Sequence, residues 1–225
     1  MNATPPPTVV VQQKQGPGCW GIGCAIVLIV LLLLGGLCAG ISWYLKSKVG
    51  TYISSAPATI QTFDGGDQMY RATQQKLADF GRSVQQNQPA TLKLSADEIN
   101  TLFARDPDLQ ASHVRAFVAM TGNQAHVEAS LPGSLSPLPS LKDSYFNGTA
   151  DLSPTYDPSN KSISLNLRTL TIGTNPVPTQ ELSTMETELQ FFISMQMQQS
   201  PNVAAFLDHL QSAEVRDGKL VLQTQ

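Results

Sequence analysis

The sequence predicts an α+β protein in which a single N-terminal transmembrane helix precedes one domain of antiparallel β-hairpins packed on helices. Three observations lead to this fold class. No charged residue occurs from Gln15 to Leu45, and that length suffices to cross a bilayer. Beyond it, three short turn sequences each align apolar residues on one face of a hairpin. Segments with helical apolar spacing lie before the first hairpin and between the last two, and two of them begin at capping residues.

Residues 19–45 form the predicted transmembrane helix, and residues 1–18 a short proline-rich tail that is expected to be disordered. The only two tryptophans, Trp20 and Trp43, flank the helix. At the helical rise they lie about 35 Å apart, which matches the spacing of the aromatic belts at the two faces of a bilayer. A helix with these ends spans the membrane once.

Two alternatives compete with a retained membrane helix. A cleaved signal peptide would use Cys38-Ala39-Gly40 and remove residues 1–40, but the tail before its apolar part is long and carries only Lys14. A lipoprotein signal would modify Cys38, but Gly35-Gly36-Leu37 lacks the usual leucine three residues before the cysteine and the usual small residue directly before it. A retained anchor is the better interpretation.

The charges flanking the helix give little information about its orientation, because Lys14 faces Lys46 and Lys48 in near balance. All three cysteines lie in or beside the span, and a cysteine-free domain suits an oxidising exterior. We therefore expect a cytoplasmic N-terminus and an extracytoplasmic domain. Gly36 and Gly40 form a GxxxG pattern that favours a homodimer or a membrane protein partner, although glycine is common in membrane helices generally.

The chain after the span divides into a stalk, residues 46–65, and a folded domain, residues 66–225. The sequence Asp64-Gly-Gly-Asp67 is a turn signal, and helical spacing of apolar residues follows it to about Gln86. The domain is therefore expected to begin with a helix.

A short strand at residues 90–94 comes next and leads into a capping box. In this motif Ser95 and Glu98 satisfy each other's free backbone donors. The helix that it opens is expected to end at Asp106-Pro107, because proline does not continue a helix. Its buried residues are expected to be Ile99, Leu102 and Phe103.

Three hairpins follow from turn chemistry. Gly122-Asn123 and Asp217-Gly218 are two-residue turns, and a four-residue loop is expected at Asp157-Pro-Ser-Asn160. A change of phase in the apolar pattern predicts a bulge near Arg168-Thr169. The predicted cross-strand pairs are Val118–Val127, Met120–Ala125, Ala116–Ala129, Leu152–Leu165, Ala150–Leu167, Val215–Leu220 and Ala213–Leu222. Between the last two hairpins, one helix is expected to about Gln199 and a shorter one from Asn202.

Composition excludes several classes of function. The chain has 14 Lys+Arg against 17 Asp+Glu, so it lacks the basic surface that nucleic-acid binding requires. Three cysteines cannot build a disulfide scaffold or a cysteine zinc ribbon. No nucleophile elbow, phosphate loop or metal-binding histidine pair occurs. We expect a non-enzymatic protein without a cofactor or metal.

Two apolar features are candidates for ligand or partner contact. One is the proline-rich connection from Leu131 to Leu141, since loops are usually short and polar. The other is the methionine- and phenylalanine-bearing helix that follows Pro178, since methionine adapts to apolar ligands. Packing in the core is the alternative for both. The candidate contact residues are Leu131, Leu135, Leu138, Leu141, Met185, Phe192 and Met195.

Three segments resemble YpmS-like proteins, which are small single-pass bacterial envelope proteins without an assigned activity. They are Leu92–Leu102, with its Ser cap and Glu-Ile-Asn-Thr-Leu, Ile172–Pro178, and Val215–Leu222. The resemblance implies an extracytoplasmic domain akin to the tubular lipid-binding folds. We therefore expect a membrane-anchored module that binds lipid or another apolar ligand at the envelope. The alternative is an interaction or assembly subunit of a membrane protein complex.

Overall fold

The computed structural model describes residues 53–135, 141–187, 190 and 206–225. In this part the chain has the predicted α+β architecture of antiparallel sheets and helices. No helix within it is long and apolar enough to cross a membrane. The predicted transmembrane helix, 19–45, lies outside the described residues, and so does its GxxxG pattern at Gly36 and Gly40.

The described elements begin with helices and one strand, and most of the strands follow as hairpins. The helices are α1 (Gly66–Gln85), α2 (Ala96–Arg105) and α3 (Pro107–Ala111), and a 3-10 helix spans Gly133–Leu135. The strands are β1 (Thr91–Ser95), β2 (Arg115–Thr121), β3 (Gln124–Pro132), β4 (Tyr145–Asp157), β5 (Ser162–Ile172), β6 (Asn175–Pro176), β7 (Leu210–Arg216) and β8 (Lys219–Thr224). Residues 179–187 and 206–209 are also helical, which matches the described part of the two predicted C-terminal helices.

The described strands form two antiparallel sheets, one in the order β1-β8-β7 and the other in the order β2-β3-β4-β5-β6. They meet where β7 lies against β3 and β4. Helix α1 contacts β1 and α2, and its Phe80 packs edge-to-face on Phe206 with ring centroids 6.0 Å apart. The buried leucine, isoleucine and valine side chains form one continuous core, whose burial is the main stabilising contribution.

The two hairpins with two-residue turns have the predicted registers. Val118 lies opposite Val127 in the first hairpin, and Val215 lies opposite Leu220 in the last. Asp217 and the glycine after it both have positive φ, as a type I′ turn requires. A turn of two residues fixes the register of the strands beside it, so local sequence sufficed here.

The register predicted for the middle hairpin is wrong by two residues. Leu152 lies opposite Leu167 rather than Leu165. The loop begins one residue later than predicted, because Asp157 stays in β4 and pairs with Ser162. The Asp157 carboxylate accepts hydrogen bonds from backbone N–H groups within the loop. Asp157 therefore stabilises the loop although it belongs to strand β4.

The predicted bulge near Arg168 is confirmed. Asp151 lies opposite Thr169, and the next residue, Leu152, lies opposite Leu167, which leaves Arg168 unpaired. The extra residue keeps apolar side chains facing the core on both sides of the bulge.

The capping box at the start of α2 is confirmed. The N–H of Glu98 donates to the Ser95 hydroxyl at 3.2 Å, and the Glu98 carboxylate accepts from the N–H of Ser95 at 2.9 Å. Glu98 also pairs with Lys76 of α1. Burial raises the pKa of Glu98, but hydrogen bonds from Lys76 and Ser95 outweigh that effect and hold it below its ordinary value. The start of α2 is thereby fixed against both β1 and α1.

Asn100 attaches α2 to the edge strand β2. Its amide nitrogen donates to the carbonyl of Val118 at 2.8 Å, and its amide oxygen accepts from the N–H of Val118 at 2.8 Å. Asn100 is 3% exposed. At the other edge of the same sheet, Glu186 accepts from the N–H of Leu167 on β5. Side chains from helices thus form hydrogen bonds with backbone groups at the sheet edges that would otherwise be free to pair with another chain.

Replacing Asn100 with alanine should destabilise the protein by about 2–4 kcal/mol, because two backbone groups of Val118 would lose their only buried partner. Chemical denaturation of the full chain in a non-ionic detergent measures this change. Asn166→Ala on β5 is the matched control, since Asn166 is exposed and its hydrogen bonds are long at 3.4 Å. Equal effects from the two substitutions would show that Asn100 does not hold α2 in place.

Candidate functional site

Residues 53–65, which the sequence assigns to a stalk, lie along the folded domain, and we call this segment the strap. Ser54 and Tyr145 exchange two backbone hydrogen bonds of 2.9 and 2.8 Å. The Asn147 side chain accepts from the N–H of Ala58 and donates to the carbonyl of Ala56, both at 3.0 Å. The first half of the strap is therefore bound to the beginning of β4.

The other end of the strap is bound to α2. The Arg105 guanidinium donates to the Asp64 carboxylate at 2.8 Å and also contacts Asp67. The N–H of Gly65 donates to the hydroxyl of Thr101 at 3.0 Å. Hydrogen bonds from Arg105, and then from the backbone after the strap, hold the pKa of Asp64 below its ordinary value. The charged pair thus fastens the strap most firmly when Asp64 is ionised.

The strap, α2, α3 and the start of β2 enclose an open groove of about 330 Å³, which we call the strap groove. Its apolar lining comes from both the strap and the domain. The apolar lining residues are Pro57, Ile60, Phe63, Phe103, Ala104, Val114 and Ala116, and the polar ones are Thr62, Asn100, Gln110, His113, Arg115 and Tyr145. The groove is therefore amphipathic.

Arg115 gives the strap groove a positive charge. Among the described residues that line the groove, only Arg115 and His113 carry side chains that can be cationic, and no carboxylate lines it. Neither side chain makes a hydrogen bond or ion pair with the part of the chain that the structure describes. An unpaired guanidinium beside apolar walls can bind a carboxylate or phosphate in bidentate fashion.

A second cavity, of about 70 Å³, lies between the two sheets, and we call it the apolar slot. Every described residue that lines it is apolar or glycine. The lining residues are Ile99, Phe103, Val118, Met120, Ala125, Val127, Ala129, Gly148, Ala150, Leu152, Pro154, Val215 and Leu220. Phe103 lines both the apolar slot and the strap groove. Its ring is the wall that the two cavities share.

A histidine–aspartate pair lies on the outer face of the larger sheet. His126 Nδ1 is 2.7 Å from Asp151 Oδ1, and Thr169 donates to Asp151 Oδ2 at 2.6 Å. Hydrogen bonds from Thr169 and then from His126 hold the pKa of Asp151 below its ordinary value. Both His126 and Asp151 are part-exposed, and neither lines the strap groove or the apolar slot. The pairing of β3 with β4 brings them together, and no motif in the sequence indicated it.

Three of the contact residues predicted from the sequence line neither the strap groove nor the apolar slot. Leu131, Leu141 and Met185 are buried in the core, at 2%, 1% and 5% exposure. Leu135 is the last residue of the 3-10 helix, and Leu138, Phe192 and Met195 lie outside the described residues. The strap groove and the apolar slot are lined by other residues from separate segments of the chain. No spacing within one segment could have indicated them.

No protein-family model, no curated protein and no solved structure matches this chain. The resemblance to YpmS-like proteins therefore stays a prediction. The structure gives physical reasons for the residues that carry it, since Ser95 and Glu98 cap α2 and Asn100 binds the edge of the sheet. Within the described residues, no group of histidine, cysteine and carboxylate side chains is arranged to hold a metal ion.

Replacing Asp64 with asparagine should lower the thermal midpoint at neutral pH, because Arg105 loses a charged partner. The pKa of Asp64 is depressed in the folded state, so its stabilising contribution is present above the unfolded pKa, about 3.9. The contribution is lost as the pH falls through the lower, folded pKa. The difference between the wild-type and Asp64→Asn midpoints should therefore persist from pH 7 to about pH 4 and vanish in stronger acid.

Asp79→Asn, at an exposed carboxylate of α1 that pairs with Arg82 away from the strap, is the control. Thermal unfolding of the full chain between pH 7 and about pH 3, followed by circular dichroism, measures both variants. A difference for Asp64→Asn that stays constant through the whole acid range would contradict the role of the charged pair.

Proposed function

We propose that this protein is a single-pass, membrane-anchored extracytoplasmic module that binds a lipid or another ligand with an apolar part at the cell envelope. The observation that carries the proposal is the strap groove. Its volume of about 330 Å³ falls within the range of small-molecule sites, which are mostly apolar with a few polar groups. Few of the described lining residues are charged and just over half of them are apolar, so the groove offers a ligand both apolar contact and hydrogen-bonding groups.

The short separation in sequence between the predicted transmembrane helix and the strap also supports a position of the groove close to a membrane. Only residues 46–52 separate the predicted transmembrane helix from the first described residue of the strap. Even fully extended, seven residues reach no more than about 25 Å. A retained helix would therefore hold the groove near the bilayer surface, where lipids are the most abundant apolar ligands.

A binding role fits the chemistry of the groove better than catalysis does. General acid–base and nucleophilic catalysis need a positioned base within reach of a bound substrate. The pair of His126 and Asp151 lies outside the groove, on the outer face of the larger sheet. Within the groove, His113 has no carboxylate partner among the described residues. These features support a non-enzymatic module.

The small volume of the apolar slot favours a second candidate function. The slot holds only about 70 Å³, which is less than most small-molecule sites provide, and a docking domain needs no ligand cavity. In this alternative the protein is an interaction or assembly subunit, and the strap groove receives a segment of a partner protein. The membrane helix would then pack against that partner or a second copy through Gly36 and Gly40.

Native mass spectrometry of the full chain, extracted from membranes with a mild detergent, tests the proposal. We expect a bound mass in the range of lipids. Ala104→Trp should abolish it, because Ala104 lines the strap groove and the indole would fill that space. Ala119→Trp is the matched control, since Ala119 lies opposite His126 on the outer face of the sheet.

Three results would count against ligand binding at this site. In the first, the wild-type chain carries no bound mass even after incubation with phosphatidylglycerol vesicles. In the second, Ala104→Trp retains the bound mass. In the third, Ala104→Trp and Ala119→Trp both lose it. A protein, rather than a lipid, that co-purifies with wild type and Ala119→Trp but not with Ala104→Trp would favour the assembly subunit.

A chain without residues 1–45 should leave the membrane fraction, because it lacks the predicted transmembrane helix. Membrane association of that chain would contradict the anchor.

A further inference from the structure

We infer that the strap groove and the apolar slot together bind one single-chain anionic amphiphile, such as a long-chain carboxylate or an alkyl phosphate. This inference rests on the proposed function and specifies the ligand. Arg115 binds the charged headgroup in the groove. The chain lies along the apolar side of the groove and its end passes Phe103 into the slot.

The charge of the groove selects the headgroup. Arg115 is exposed and makes no ion pair within the described residues. The described residues that line the groove beside it include His113 and no carboxylate. The other arginine close by, Arg105, is already occupied by Asp64 and Asp67. Arg115 is thus the cation available to an anionic headgroup, and the walls next to it, such as Val114, are apolar.

The position of Phe103 connects the two cavities. Phe103 is half-buried and lines both of them. The neighbouring Asn100 lines only the groove, and its hydrogen-bond partner Val118 lines only the slot. Because their two hydrogen bonds hold α2 against β2, a passage between the cavities opens by rotation of the Phe103 ring rather than by displacement of the helix.

The size and lining of the slot select a single chain. The slot offers about 70 Å³ between two sheets, and close packing around small residues such as Ala125 and Gly148 leaves no room for a second chain. Every described side chain in the slot is apolar, so a polar group there would find no side-chain hydrogen-bond partner among them. The slot therefore fits only the methyl end of an alkyl chain.

The headgroup is tested by titrating the full chain, in an uncharged detergent, with hexadecanoate and with hexadecanol, using native mass spectrometry. Arg115→Gln should weaken hexadecanoate binding at least tenfold, as expected for a lost charge-assisted hydrogen bond. It should leave hexadecanol binding unchanged. Arg115→Lys should restore most of the affinity for hexadecanoate, because it keeps the charge. Arg168→Gln, at the exposed bulge of β5, is the control and should change neither affinity.

The chain end is tested with saturated carboxylates of 10 to 18 carbons. Each additional buried methylene should tighten binding about fourfold until the slot is filled. Phe103→Ala should move that limit to longer chains, because it joins the two cavities. Phe63→Ala, which changes only the groove wall, should weaken binding of all chain lengths by a similar factor.

The outcomes separate this inference from the proposed function. If the wild-type chain binds none of these amphiphiles and no lipid, both are overturned. If it binds lipid but hexadecanol and hexadecanoate bind alike and Arg115→Gln has no effect, the anionic headgroup is overturned and the proposed function stands. If Phe103→Ala lowers affinity without changing the preferred chain length, the passage into the slot is overturned.

Discussion

The two hydrogen bonds between the Asn100 side chain and the backbone of Val118 hold the helix on which the candidate site depends. Both are 2.8 Å long and buried, so breaking them would leave a donor and an acceptor without partners, at a cost of about 1–3 kcal/mol each. They also cover the open edge of β2, which would otherwise be free to pair with another chain. The capping box of Ser95 and Glu98 fixes where α2 begins. It thereby sets the position from which the Asn100 amide reaches β2.

Helix α2 in turn holds the strap, and the strap makes the groove. Thr101 and Arg105 bind its end, and Asn147 binds its middle from β4. Between these attachments the apolar residues of the strap line one side of an open groove, and residues of α2 line another. A ligand-sized groove thus results from fastening a segment at its two ends, and its walls come from parts of the chain far apart in sequence.

The features that the sequence predicted correctly depend on residues that lie close together in the chain. A two-residue turn sets the register of the strands next to it, and the cap at Ser95 is complete within four residues, so both were predicted correctly. The middle hairpin was misplaced because Asp157 acts on its loop from within the strand. No pattern in the sequence indicated the strap groove, because its walls combine segments that are far apart in the chain. Apolar residues in a connection, Leu131 and Leu141, indicated a contact site, although both lie in the core.

The central claim is that an amphiphile occupies the strap groove. Photolabelling the full chain in membranes with a diazirine-bearing hexadecanoate, followed by mass spectrometry of its peptides, tests this claim most directly. Binding in the groove and slot predicts labels on the strap, on α2 around Phe103, and on the start of β2, all competed by unlabelled hexadecanoate. Competable labels confined to the outer face of the larger sheet around His126, or to residues 131–141, would contradict it.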